Sequence, residues 1–394
     1  MKLKLTFWKA VAFALMGLGL VAAIQRYALG LGATTHLQDT FPWGLWIGFD
    51  ILVGVGLAAG GFTIAAIVYV FNIERFRPIL RPTILTAFLG YLLVIAGLMV
   101  DLGRPWAIWH AMIMWNTHSV MFEVAWCVML YTTVLALEFS PVIFERFNLE
   151  KPLKVVRAIT IPLVVVGVIL STLHQSSLGS LFLIIPSRMH PLWYSNIIPF
   201  LFIISCVGAG LAMTIFESFL SSRAFGREVE LPLLSELAKA LVVVLALFFT
   251  VRIQDLMNRD ALKYAFEPGY QSLMFGIEIV LGVIVPVVLL LFPQVRSSKK
   301  GLFYAAALVL LGFVANRMNT AITSMEQWPS RTYIPSWQEL FITLGLAAFG
   351  FVAFAFIAKN FKVFGEKPHN EVQEYGEAEG TSHRTPGLRA VVAK

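Results

Sequence analysis

Charge is scarce in this chain. Charged residues make up 13% of its 394 positions, against 58% hydrophobic. A soluble protein of this length needs more polar surface than that, so a water-soluble enzyme is excluded. Cysteine is nearly absent. Cys127 and Cys206 are the only two, each inside an apolar run, which excludes zinc and iron–sulfur motifs and a disulfide framework. Histidine is sparse and badly placed for haem. His369 and His383 lie in a polar tail, and His36, His110, His118, His174 and His190 fall in connections or at expected helix ends. A membrane haem takes paired axial ligands on facing helices. The expectation is therefore no haem and no metal in this chain.

What is abundant is uninterrupted apolar sequence. Residues 51–73, 82–100, 158–187, 189–216 and 340–358 contain no Asp, Glu, Lys or Arg. Five further segments are as apolar but are interrupted or shortened by charge. Runs near 20 residues read as membrane-spanning helices. Ten are expected, over roughly 10–31, 43–71, 82–101, 119–138, 157–174, 193–220, 237–254, 271–293, 301–318 and 337–358. The first continues past the length of a leader's apolar core, so it reads as a helix and not as a cleaved signal. Pro162 is expected to kink the fifth helix. From 359 the tail to 394 is polar and reads as disordered.

The net charge of +7 does not call for nucleic acid. With a cytoplasmic N-terminus, nineteen cations fall in cytoplasmic connections and eight on the other side. That asymmetry is the positive-inside pattern. It places a multi-pass protein in a bacterial or archaeal cytoplasmic membrane with both termini cytoplasmic.

The densest chemistry lies at 99–123, Met-Val-Asp-Leu-Gly-Arg-Pro-Trp-Ala-Ile-Trp-His-Ala-Met-Ile-Met-Trp-Asn-Thr-His-Ser-Val-Met-Phe-Glu. Asp101 and Arg104 close one apolar run, His110 and several Trp fill the connection, and Glu123 opens the next run. Asp50 stands bare inside the second run, where a carboxylate marks a functional site by default. Glu123, Cys127, Tyr131, Val134 and Glu138 share one helix face. Gly54, Gly56, Gly60 and Gly61 read as close-packing positions.

A weak echo connects two parts of the chain. Asp101-Leu-Gly-Arg104 precedes Ser-Val-Met-Phe-Glu at 119, and Asp255-Leu-Met-Asn-Arg259 precedes Ser-Leu-Met-Phe-Gly at 272. Both fall on the same side in the topology. Helices two to five (about 43–174) and six to nine (about 193–318) would then be two four-helix bundles in parallel orientation, flanked by helices one and ten.

An apolar pocket near one leaflet, walled by aromatics and holding a few His, Asp, Glu and Arg, suits a quinone. The ring needs apolar contact, and its oxygens need hydrogen bonds and protons. An ion-coupled transporter also uses repeats and buried carboxylates, but here the polar groups crowd one edge. A passive membrane anchor would leave Asp50 and Glu217 without a purpose.

At several motifs the chain resembles a known family. These are Phe-Pro-Trp-Gly-Leu-Trp-Ile at 41–47, Phe-Leu-Gly-Tyr at 88–91, Trp-Asn-Thr-His-Ser-Val-Met-Phe-Glu at 115–123, His-Gln-Ser-Ser-Leu-Gly-Ser-Leu at 174–181, His-Pro-Leu-Trp at 190–193 and Pro-Ser-Trp-Gln-Glu-Leu at 335–340. They resemble the polysulfide reductase NrfD-like membrane subunits, and within these the HybB-type subunits of uptake [NiFe] hydrogenases. The resemblance covers nearly everything but the tail. It implies a haem-free subunit without autonomous activity. Such a subunit passes electrons between a periplasmic, ferredoxin-like iron–sulfur subunit and a quinone pool, with menaquinone the first choice, and it moves protons. The implied catalytic partner is a [NiFe] hydrogenase, or else a sulfur-compound or multihaem cytochrome enzyme. Tyr91, Glu123 and Glu217 match positions that act in the family. The quinone itself is expected among Trp43, Asp50, Arg104, His110 and His174.

Overall fold

The computed structural model describes residues 6–39, 41, 43–326 and 332–364. Ten helices are long and apolar enough to cross a membrane. They are α1 (Phe7–Leu29), α2 (Trp46–Val70), α3 (Glu74–Asp101), α4 (Val120–Arg146), α5 (Thr160–Ile184), α6 (Ile198–Phe225), α7 (Leu231–Asn258), α8 (Tyr270–Leu291), α9 (Lys299–Thr323) and α10 (Trp337–Asn360). No strand occurs among the described residues; Gln38 and Phe41 form one isolated bridge. The chain is an all-α membrane protein, as its composition requires. Successive spans run in opposite directions, so α1 begins and α10 ends at one end of the assembly. That end is called the N-terminal end below, and the other the far end.

Most helices outrun the expected bounds, and the fifth does so with consequence. Its polar run His174-Gln175-Ser176-Ser177 reads as a helix end, yet the helix continues to Ser180 and a tight turn carries it to Ile184. The serines bond to their own helix: Ser176 and Ser177 both donate to the Leu173 carbonyl at 2.8 and 2.7 Å, and Ser180 to the Ser176 carbonyl at 2.9 Å. Hydroxyls satisfied this way cost a helix little. His174 therefore lies inside a span, fully buried, and not at a helix end. Pro162, expected to kink the fifth helix, falls in the first turn of α5, where its missing N–H costs no intrahelical bond. The polar tail was expected from 359; α10 reaches Asn360, and residues 365–394 lie outside the described residues.

Neighbour relations organise the spans. α2 packs on α3 and α5, α3 on α4, and α4 on α5. α6 packs on α7 and α9, α7 on α8, and α8 on α9. α6 also packs on both α2 and α5, and α1 and α10 pair with each other beside α3.

The α2–α6 crossing is tight because both helices lack side chains there. A Cβ at Gly210 would stand 2.7 Å from Ala59 C and 2.7 Å from Gly60 N. A Cβ at Gly60 would meet Thr214 Oγ1 at 2.9 Å. On its other side α2 accepts Ala87 of α3 against Gly61. α2 is also irregular. It has π-helical turns at Trp46–Val53 and Ala66–Val70 and a break at Ala58–Ala59, where Ala59 N bonds to Gly56 O at 3.1 Å. Glycine-rich helix tolerates such local rewinding.

At the far end, buried polar side chains tie the helices together. Arg26 donates to the carbonyls of Val100 and Leu102, both at 2.7 Å, capping the end of α3. The Ser336–Glu339 capping box opens α10. Glu339 also accepts from His36 N at 3.1 Å and from the Tyr333 hydroxyl, and Tyr333 accepts from Leu45 N at 3.0 Å. In the α5–α6 connection, His190 Nδ1 accepts from Leu192 N at 3.2 Å while the ring packs on Trp193 and Tyr264. Burial holds its imidazole below the ordinary value of 6.5.

Three outcomes are expected. Gly210→Ala should cost about 1–3 kcal/mol by overpacking and lower the thermal midpoint in detergent. Gly276→Ala, where a Cβ meets nothing within 4 Å, should leave it unchanged or slightly raised. For His190, the unfolded chain takes up a proton that the folded chain resists. Stability should therefore fall as pH drops through about 6.5, and His190→Gln should flatten that part of the pH–midpoint curve.

Candidate functional site

Midway along α3, Tyr91 is fully buried. Its hydroxyl and Nδ1 of His174 on α5 are hydrogen bonded at 2.8 Å. Tyr131 of α4 meets the Tyr91 ring edge-on, with centroids 4.7 Å apart. Ser171, one turn before His174, lies beside both phenols. Three helices thus converge on one polar knot inside an apolar core. The knot is incomplete. His174 Nε2, the Tyr131 hydroxyl and both polar atoms of the neighbouring Gln175 are buried without a partner among the described residues. Buried polar atoms are nearly always bonded, so a cluster of exceptions points to water or a ligand.

Two carboxylates lie on the N-terminal side of this knot. Glu138 follows Tyr131 by seven residues on α4, about 10 Å along the axis. Built at Gly167 of α5, a Cβ would be 3.5 Å from Glu138 Oε1 and 3.6 Å from the Tyr131 ring, so both line the same α4–α5 seam. Glu217 on α6 is the second. Both its oxygens are buried and unpartnered. It borders a narrow gap with Thr214 of α6, Gly60 and Gly61 of α2, and Thr83, Thr86 and Ala87 of α3. Ala87 is one turn, about 6 Å, from Tyr91 along α3. Thr86 Oγ1 is also unpartnered.

The remaining expected site residues are spread out. Glu123 sits in the first turn of α4 and is exposed. Trp126, three residues on, donates to Ala111 O at 3.0 Å and so holds the short helix His110–Ile113 against α4. His110 is therefore near the Glu123 edge, half-buried and edge-on to Trp109 at 4.3 Å. Arg104 is exposed in the same connection. Trp43 is half-buried against Phe182, two turns beyond His174, at 5.3 Å. Asp50 turns the other way. Its Oδ2 accepts from Thr343 of α10 at 2.8 Å, and its Cβ faces Gly97 of α3. No hydrogen bond or ring contact joins any two of Trp43, Asp50, Arg104, His110 and His174. The structure brings Tyr91 to His174, and His110 to the edge that carries Glu123. Asp50 belongs to the α3–α10 side.

The corresponding region of the second half is differently wired. Glu278 of α8 is buried and accepts from Trp193 Nε1 at 2.9 Å, Asn316 Nδ2 at 2.7 Å and Asn319 Nδ2 at 2.9 Å. Its carboxylate is saturated by N–H donors. The sequence echo does not extend to structural roles: Ser119 caps α4, accepting from Phe122 N at 3.4 Å, whereas Ser272 lies inside α8 and donates to Gly269 O at 3.0 Å. Sequence reasoning had Tyr131 and Glu138 on one face but gave them no role. Their common spacing with Cys127, which is buried, was the available signal. Gln175 was missed because the fifth helix was ended too early; Ser171 lay inside the expected helix, where a lone serine carries no signal of its own.

A sequence model of the family described as "Polysulphide reductase, NrfD" matches residues 33–326. A Nitratidesulfovibrio vulgaris (strain Hildenborough) protein is 39% identical over 362 residues, spanning 89% of this chain and 92% of that one; its name states no function. The probable Ni/Fe-hydrogenase 2 b-type cytochrome subunit of Escherichia coli K12 is 35% identical over 337 residues, covering 84% of this chain and 86% of that one. The menaquinone reductase integral membrane subunit of N. vulgaris is 30% identical over 402 residues, covering 92% and 93%. With the family match running across eight of the ten spans, this chain belongs to the polysulphide reductase NrfD family.

Proposed function

We propose that this chain is the quinone-reactive membrane subunit of a respiratory oxidoreductase complex. It passes electrons between an iron–sulfur subunit on the periplasmic side and menaquinone, and has no activity alone. A [NiFe] hydrogenase is the first choice of catalytic partner, supported by the similarity to the E. coli hydrogenase subunit; menaquinone is supported by the N. vulgaris relative. The charge asymmetry of the connections supports cytoplasmic termini, so the far end is assigned to the periplasm.

The observation that carries this reading is the buried Tyr91–His174 hydrogen bond, surrounded by unpartnered polar atoms. Reducing a quinone to a quinol consumes two electrons and two protons. A phenol and an imidazole in direct contact can hand a proton either way, because each is both donor and acceptor. The apolar wall above them includes Trp43 and Phe182, which suits a quinone ring. Glu123 and His110, at the edge of α4 toward the far end, supply exchangeable protons where the quinone enters. Glu138 and Glu217 lead from the knot toward the N-terminal end, along two seams, and are assigned to proton movement. Arg104 guides the periplasmic partner or the quinone. Asp50, bonded to α10, is assigned a positioning role.

The chain is proposed to work without haem. A bis-histidine haem needs two imidazoles on facing helices. Among the described residues His174 is the single histidine inside a span, and its Nδ1 is engaged by Tyr91. The same residues contain no group of three or more His, Cys, Asp or Glu able to hold a metal ion.

Tests follow on the complex purified through this chain and reconstituted in proteoliposomes. Tyr91→Phe should preserve assembly and reduce quinone-linked turnover by roughly 10²-fold or more, the usual scale for losing a proton-transfer group; full turnover would sink the central assignment. Glu123→Gln should also lower turnover with assembly intact. Glu138→Gln and Glu217→Gln should each spare much of the electron transfer but reduce pH-gradient formation. If both keep the gradient, neither seam carries protons.

A further inference from the structure

The second half holds two arginines that the proposed function leaves unused. Arg252 of α7 and Arg317 of α9 are 3% and 1% exposed. Arg252 donates to Leu192 O at 2.6 Å. Arg317 donates to Asn316 Oδ1 at 2.6 Å, Ser205 Oγ at 2.9 Å and Phe202 O at 3.2 Å, and its guanidinium lies 3.6 Å from the Phe202 ring centroid. In both side chains Nε is buried and unpartnered. Both border the same small gap, with Asn316, Thr320, Trp193 and Phe248.

The local charge does not balance. Arg252 and Arg317 bring two positive charges. Glu278 brings one negative charge, but its oxygens are occupied by Trp193, Asn316 and Asn319, and neither arginine touches it. Asp255 is already paired with Arg259 at 2.7 Å. One positive charge is left over inside the span, where an uncompensated ion costs several kcal/mol.

We propose that this gap binds a small monovalent anion of halide size between Arg252 and Arg317. The gap has room for one water-sized particle; a chloride or bromide enters with a small outward shift of the lining side chains, whereas the polyatomic phosphate, sulfate and carboxylates are excluded. Donors line it on two sides, and aromatic rings and aliphatic carbons close the rest. The anion would neutralise the excess charge and fix α7, α9 and the Trp193 turn relative to one another.

The test compares thermal unfolding of the purified complex in chloride, in bromide and in gluconate at constant ionic strength. Chloride and bromide should raise the midpoint of this subunit saturably, as a ligand bound only by the folded state does. Gluconate, too large for the gap, should not. Arg252→Gln should abolish the saturable rise. Thr320→Ile fills the lining while leaving both arginines in the sequence and should do the same. It keeps the test open if the arginine variant fails to assemble. Indistinguishable curves in the three salts would mean that the gap holds water only, and the proposal fails. A halide response that survives both variants would place the anion elsewhere and equally overturns it.

Discussion

The near-contact of α2 with α6 is what the arrangement rests on. Where Gly60 and Gly210 meet, no side chain separates the two backbones. Helices in lipid gain nothing from hiding apolar groups from one another, so close van der Waals fit must supply the association. That fit draws the α2–α5 group against the α6–α9 group. It also fixes the narrow gap beside it, in which Glu217 faces α2 and α3. A wider crossing would flood or collapse that gap. The break in α2 at Ala58–Ala59 follows from the same contact, since a glycine-rich stretch yields before the packed neighbours do.

The number and position of the spans were legible because lipid imposes a single demand: a long apolar run with its backbone bonds closed internally. Glu217 stood out for a related reason, being charged in a run that should hold no charge, whereas Tyr91 was singled out by the motif Phe-Leu-Gly-Tyr that it closes. The ends of helices were less legible. At α5 the serines look like a loop by composition, and only their bonds to Leu173 and Ser176 reveal a helix. That one misplaced boundary moved His174 from the core to the surface and hid its bond to Tyr91. The five residues expected around the quinone were chosen by depth. Depth along a helix says nothing about rotation about its axis, so Asp50 turned out to face α10 and Thr343.

The two halves spend their buried polar groups differently. In the second, Glu278 has three donors and is embedded with Asn316, Asn319 and Trp193 in a filled network. In the first, His174, Gln175 and Tyr131 all retain unused atoms, and Glu217 of α6, facing α2 and α3, does so as well. A saturated network rigidifies; an unsaturated one is free to exchange protons or accept water.

The depth of Tyr91 carries a consequence for energy conversion. It stands 17 residues from Glu74 and 10 from Asp101 along α3. A proton reaching it from the N-terminal end would cross about six tenths of the span's rise, and with it a similar share of the membrane voltage. At about 2.3 kcal/mol per charge per 100 mV, that is about 1.4 kcal/mol for each proton. Under the role proposed for Tyr91, the voltage across the membrane would act as a reactant, opposing or driving each reduction according to which side the proton comes from.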